Sequence, residues 1–431
     1  MSRRRWLASA STGALALAFA AADLRAQSAP IEAEWIEFYR DLHRHPELSF
    51  RETRTAAKFA TVLQSAGFEV ATNVGGLGVV GVARNGPGKT LLLRCDMDAL
   101  PIGETTGLDY ASTLRVEDAQ GRVGGVMHAC GHDVHMTAVA ASAAWLSAHR
   151  DAWQGTLVVI GQPAEEVAGG AKAMLEDGLF ERYPRPDMAL ALHVTPDLPT
   201  DTVGWREGPA MANVESVDLV VRGRGGHGAA PHLTIDPVLI ASKLILDLQT
   251  IVSREIAPTN PAVVTVGSIR GGSKHNIIDS ECHLQLTIRS YSQTVHEHIK
   301  TALVRKARAA AQSAGAPEPT ITWSEYTPAL ENDPELTRLV VDAFRAELGE
   351  DHVREIAPVM TAEDFGRFRL EGIPVCMFRL GTTSPARLAA AVESGNPVAP
   401  LHSGGYFPDA EAALTTGRRA LIAAVRRLLP R

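Results

Sequence analysis

Cysteine is scarce: four residues, Cys95, Cys130, Cys282 and Cys376, lie far apart in 431, so no disulfide framework holds the chain. Positive charge is in deficit, with 42 Lys and Arg against 49 Asp and Glu and a net charge of -7. That balance excludes the basic footprint of a nucleic-acid-binding protein, and no acidic tail appears either. Internal repeats, coiled-coil heptads and low-complexity segments are also missing beyond the N-terminal stretch, which excludes solenoid and fibrous architectures. What is present is ordinary for a globular protein, 45% hydrophobic and 21% charged. The length suggests two or three domains, and the composition favours small-molecule chemistry.

The first residues have a separate character. Arg3, Arg4 and Arg5 precede an apolar, Ala-rich run over residues 6–22, and Leu24-Arg25-Ala26 offers a cleavage site. Residues 1–26 therefore read as an export signal; an uncleaved anchor is the alternative. The segment SRRRWL resembles a twin-arginine signal with Trp6 where Phe is usual, which implies an exported, periplasmic protein that crosses the membrane folded.

After it, helices are predicted over 31–44 and 55–65 and strands over 68–74, 78–83 and 90–94. The last of these, TLLLRC, is apolar without alternation, as in a strand covered on both faces. A helix over 134–147 carries Met136, Val139, Ala140 and Ala143 on one face, with Asp133 at its N-cap. Strands over 156–160 and 188–192 enclose a helix over 171–177. Strands alternating with helices give an α/β fold with a mixed, largely parallel sheet, formed by residues 30–212 and 325–431. Between them, residues 213–324 read as βαββαβ, a ferredoxin-like inserted domain that includes a long helix over 236–255. Asp96, Asp98, Glu165, Glu166 and His193 each follow a predicted strand end, where ligands of such sheets bind.

One stretch concentrates metal-ligand chemistry: GGVMHACGHDVHMT, residues 124–137. Cys130 and His132 stand two apart, too close to share a helical face, so Gly131 turns the backbone and aims both side chains at one point. A thiolate and an imidazole suit zinc, with manganese or cobalt as alternatives. Glu165 and Glu166 place like charges side by side, which raises their proton affinity unless a cation intervenes. One can then bind the cation while the other takes a proton from water. His193 and His402 complete a donor set able to hold two divalent ions.

Seven motifs now fall in order: RCDMDALPIGE (94–104), MHACGHDVHM (127–136), GQPAEE (161–166), ALHV (191–194), GRGGHGAAPH (223–232), TAEDF (361–365) and LHSGGYF (401–407). Through them nearly everything from Trp35 onward resembles metallopeptidase family 20, in its amidohydrolase branch with hippurate hydrolase and the plant auxin-conjugate hydrolases. The resemblance implies two divalent ions held by Cys130, His132, Glu166, His193 and His402, with Glu165 as general base and acid. It implies Asp98 as the carboxylate orienting a ligand histidine, and leaves the role of Asp96 open. Glu363 and Asp364 are implied to support the site. The inserted domain would be a lid and homodimerisation domain whose His227 reaches a neighbouring protomer's site and stabilises the oxyanion. Asn276 and Arg289 would bind substrate carboxylate or carbonyl groups, although the proline usual after Asn-x-Ile is absent at Asp279. The activity implied is hydrolysis of an N-acyl amino acid or related conjugate by metal-activated water. The alternatives are a periplasmic dipeptidase or carboxypeptidase, or a non-catalytic metal- or peptide-binding protein.

Overall fold

The computed structural model describes residues 30–117 and 121–431; the export-signal reading of residues 1–26 lies outside them. Among the described residues, no helix is long and apolar enough to cross a membrane.

Helices α1 (Ala33–Arg44) and α2 (Thr53–Ser65) bury residues at helical spacing, Phe38, Tyr39 and Leu42 in the first and Phe59, Ala60 and Leu63 in the second. Strands β1 (Glu69–Val74), β2 (Gly78–Asn85) and β3 (Thr90–Asp96) follow. Then come α3 (His132–Ala148), β4 (Gly155–Gln162), α4 (Gly170–Glu176), β5 (Met188–Pro199) and β6 (Val203–Trp205). The next elements, β7 (Asn213–Arg222), α5 (Pro237–Thr250), β8 (Ala262–Gly271), β9 (Glu281–Ser290), α6 (Gln293–Ser313) and β10 (Thr320–Thr327), form a second sheet with its helices. The chain closes with α7 (Pro334–Leu348), β11 (Val353–Glu355), β12 (Val375–Thr383), α8 (Pro385–Ser394) and α9 (Ala410–Leu428).

The large sheet has eight strands in the order β1-β2-β4-β3-β5-β12-β6-β11. Its middle four, β4, β3, β5 and β12, run parallel, while β1 and β2 are antiparallel additions at one edge. Alternation along these buried strands sorts side chains into two cores. Leu91 and Leu93 pack into one with Leu157, Val159, Leu190 and Leu192, while Leu92 joins Val158, Ile160, Ala189 and Ala191 in the other. Residues at the carboxyl ends of the parallel strands consequently converge on one rim.

The second sheet, β8-β9-β7-β10, is antiparallel throughout. Helices α5 and α6 pack on it around Leu219, Ile240, Leu244, Leu284, Ile299 and Leu303. The single helix expected over 236–255 is capped by Asp236, whose Oδ1 accepts from the N–H groups of Val238 and Leu239. Its regular part stops at Thr250, and a wider π-type turn, Ile251–Glu255, finishes it.

Two local expectations are corrected. Asp133 is not the N-cap of α3: Gly131 holds that position at φ 74°, and Asp133 is the second helical residue, its Oδ2 2.7 Å from His43 Nδ1. Glycine is needed at 131 because a Cβ there would come within 2.6 Å of Val194 Cγ2, besides straining the backbone. His193 does not follow a strand end either. Strand β5 runs on to Pro199 because β12 continues to pair beside it through Gly381 and Thr383, so His193 projects from mid-strand.

Candidate metal centre

The Gly131 turn presents Cys130 and His132 from the start of α3. His132 Nδ1 lies 2.8 Å from the backbone carbonyl of Asp98, which can only accept, so Nδ1 carries the hydrogen and Nε2 is left with its lone pair. That Nε2 is buried and unpartnered, 3.8 Å from Glu166 Oε1, which is itself buried without a hydrogen bond. Cys130 Sγ is 3.5 Å from His193 Nε2, and His193 Nδ1 is spent on the Val194 carbonyl at 2.8 Å. His402 sits at φ 59° with its N–H donated to the Ala129 carbonyl, which ties its loop to the Cys130 turn. Its Nε2 is 3.5 Å from Glu166 Oε2. Three overlapping donor groups result: Cys130–His132–His193, Cys130–Glu166–His402 and His132–Glu165–Glu166.

Asp98 organises the glutamate loop. Its Oδ1 accepts the Glu165 N–H at 3.1 Å, and its Oδ2 accepts the Glu166 N–H at 3.0 Å and the Ser49 hydroxyl at 2.6 Å. His132 is thus held by the Asp98 carbonyl, with the carboxylate 3.4 Å away, while the carboxylate's short bonds go to the two-glutamate turn. Immediately before that turn Ala164 takes φ 51°, and its N–H is held at 2.8 Å by buried Glu52.

Sequence reasoning missed what lies beneath. Arg94 is fully buried and donates to Gln162 at 3.1 Å, Asp96 at 2.6 Å, Glu363 at 2.8 Å and Asp364 at 3.1 Å. Asp96 also receives His135 Nδ1 at 2.6 Å, and His135 Nε2 accepts the Val194 N–H, so both nitrogens of His135 are spent. Asp96 thus bonds to Arg94 and His135, and it also forms a candidate donor group with His132 and His135. The available signal was alternation, since residues 92, 94 and 96 share one face of β3 and a buried arginine there must find carboxylates.

These groups carry more negative charge than Arg94 balances. Burial raises the proton affinity of Glu165 well above the usual carboxylate range, helped by Glu363, Glu166 and Asp364. Burial likewise pushes Glu166 up to about 7, with Asp98 and Asp96 adding to it against the pull of His132. The Cys130 thiol is pushed up by burial and then by Glu166. Divalent cations fit this set: they would take the unpartnered His132 Nε2 and Glu166 Oε1, stabilise the thiolate and relieve the crowded carboxylates.

A cavity of about 590 Å³ opens over the rim. Cys130, Glu165, Glu166, His193, His402, Glu363, Asp364 and Arg379 line it from the large sheet's side, and Val214, Arg289, Glu325 and Thr327 from the second sheet. Arg289 is half-buried, with Nη1 donating to the Met360 carbonyl at 2.9 Å. His227 and Asn276 are exposed and do not line the cavity. They sit at a small two-stranded antiparallel ribbon in which Gly226 and His227 pair with Ile278 and Ile277.

Buried thiol, imidazole and carboxylate donors around a free glutamate at the rim of a parallel sheet define a metal-dependent hydrolase. The family model for peptidase family M20/M25/M40 matches residues 92–396. Thermostable carboxypeptidase 2 of Saccharolobus solfataricus is 37% identical over 354 residues, covering 81% of this chain and 86% of the relative. N-acetyl-L-cysteine deacetylase of Bacillus subtilis is 37% identical over 355 residues, 82% and 81%. The crystal structure of the Bacillus subtilis YXEP protein, a dinuclear metal-binding peptidase, superposes with TM-score 0.76 at 29% identity over 94% of this chain and 99% of that one. The chain belongs to peptidase family M20/M25/M40, and it is a hydrolase of C–N bonds.

Proposed function

We propose that the protein is an exported, two-ion amidohydrolase that cleaves N-acyl amino acids or related amino-acid conjugates. The observation that carries this reading is the placement of Glu165 in one cavity with Cys130, Glu166, His193, His402 and Arg289, with His132 grouped directly behind them. Cys130, His132, Glu166, His193 and His402 would hold two divalent ions, zinc, manganese or cobalt, which supply Lewis acidity when bound. Glu165, with its raised proton affinity, takes a proton from the attacking water and returns it to the leaving amine. Asp98 fixes the Glu165 and Glu166 backbone so that the base stays aimed. Arg289 pairs with the substrate carboxylate as a planar fork.

The second sheet, ferredoxin-like in its βαββαβ order, serves as lid and dimerisation domain. His227 and Asn276 then act in a partner protomer's cavity, His227 donating to the oxyanion and Asn276 to the substrate. Their exposure away from this chain's own cavity is what that arrangement requires. The test is a mass-spectrometric screen of metal-reconstituted enzyme against N-acyl amino acids and dipeptides. Release of free amino acid from benzoyl- or acetyl-amino acids, abolished by chelator and restored by a divalent ion, is the expected result. Faster cleavage of dipeptides would favour a peptidase, the activity in the name of the carboxypeptidase relative. Full activity after exhaustive metal removal would sink the proposal.

A further inference from the structure

We propose that Arg379 is a second carboxylate anchor in the cavity, separate from Arg289, so that preferred substrates carry two carboxylates. This rests on the amidohydrolase reading. Arg379 interrupts an otherwise apolar buried strand, between Phe378 at 1% and Leu380 at 0% exposure. It pairs in register with His193 across parallel β5 and β12. Alternation therefore puts it on the same sheet face as Met377, Ala191, Arg94 and Asp96.

Two arginines on this face have opposite circumstances. Arg94 is satisfied by Gln162 and three carboxylates. The Arg379 side chain makes no hydrogen bond or ion pair among the described residues, yet it lines the cavity. Of the carboxylates whose charge reaches it, Glu363 gives Oε1 to Arg94 and the Phe365 N–H and leaves Oε2 without a hydrogen bond, and neither Glu363 nor Glu165 forms an ion pair with Arg379 among the described residues. A guanidinium that faces a cavity without a hydrogen-bonded partner is left with unfilled donors. Such a group gains most from an entering anion that takes its fork bidentately.

Arg289 reaches the cavity from the other sheet, so the two guanidinium groups approach a bound molecule from two walls. A substrate with one carboxylate can neutralise one of them. A second carboxylate, on the amino-acid side chain or at the far end of the acyl group, neutralises both.

The test measures binding without turnover, by calorimetry on metal-reconstituted Glu165→Gln protein. The ligands are two acid and neutral pairs, N-acetylglutamate against N-acetylglutamine and N-succinylalanine against N-butyrylalanine. The acid of one pair should bind about 10- to 100-fold tighter than its neutral partner, and which pair shows it locates the second carboxylate. Adding Arg379→Leu should erase that ratio, and Arg379→Lys should keep part of it. Arg379→Gln, closer in length and polar, takes the place of Leu if that variant fails to fold. No preference in either pair, or a preference surviving loss of the guanidinium, overturns the assignment. The outcomes separate from those of the parent reading: an acid preference that depends on Arg379 supports the anchor even if the wild-type enzyme hydrolyses no amide. Hydrolysis without any acid preference removes the anchor alone.

Discussion

The rim of the large sheet and the two-stranded ribbon of residues 226–227 and 277–278 carry the two halves of the candidate chemistry, and they are built in opposite ways. At the rim the supporting groups are held several times over, although His132 Nε2 and Glu166 Oε1 stay unpartnered: Asp98 binds both glutamate N–H groups, Arg94 binds three carboxylates, and His135 fills both nitrogens. At the ribbon, His227 and Asn276 are exposed, and among the described residues the His227 ring is engaged only by the Ala229 N–H at 3.0 Å. A buried site of like charges folds only if its geometry is over-determined, because each stray carboxylate is costly. A group that must reach another molecule has to stay free. On the proposed reading, the contrast separates residues that one chain assembles from residues that would act in a second.

The strongest way to break this division is at its centre. Glu165→Gln should lower turnover about 10²- to 10⁴-fold while metal content, read by atomic emission, stays at the wild-type level. Near wild-type turnover would remove Glu165 from the proton-transfer role. His227→Ala should cost about 10²- to 10³-fold, the scale for losing an oxyanion donor. Mixing His227→Ala and Glu165→Gln protomers should then restore activity to about a quarter of wild type, because one site in each mixed dimer is whole. A mixture no better than its parents would place His227 in its own chain's chemistry or in none. Asp98→Asn is milder, since the His132 contact through the backbone carbonyl survives. Metal affinity should fall about 10- to 100-fold in a competitive titration, and an unchanged affinity would leave Asp98 with no part in aiming the donors.

How much of this was legible follows from the same contrast. The helices, the parallel strands and the βαββαβ order were readable because apolar periodicity reports which face is covered. The Cys130–His132 turn was readable because only glycine tolerates its backbone. Asp133 was misplaced because an aspartate before an apolar helix is an ordinary cap, and nothing local reveals that His43, 90 residues earlier, claims its carboxylate. His193 was misplaced because Thr195 and Pro196 resemble a strand end, while pairing with a strand far later in the chain, Thr195 opposite Gly381, keeps the segment extended. Arg94, His135, Gln162 and Glu52 escaped notice for one reason: each acts through partners distant in the chain. Alternation alone could have put Arg94, Asp96, His193 and Arg379 on one face, since each sits among core residues of fixed parity.

The gentlest expected effect on turnover comes from the clamp on α3, which lies outside the cavity lining and acts on stability. His43 Nδ1 is 2.7 Å from Asp133 Oδ2 and Nε2 is 3.1 Å from Glu104 Oε1, so both nitrogens face carboxylates and the imidazolium is the matching form. Burial opposes that charge, but the hydrogen bonds to Asp133 and Glu104 outweigh it and raise the pKa from 6.5 to about 9. A pKa raised by folding means that the folded chain holds the proton more tightly than the unfolded one. The clamp's stabilisation is therefore fully present below about pH 6.5 and is lost as pH rises through about 9, a change on the order of 3 kcal/mol. Urea midpoints taken across that window should fall for the wild type and stay nearly flat for His43→Gln. Because Asp133 follows His132 directly, that loss would loosen the metal turn from behind, and equal slopes in the two proteins would show that the clamp carries no such charge.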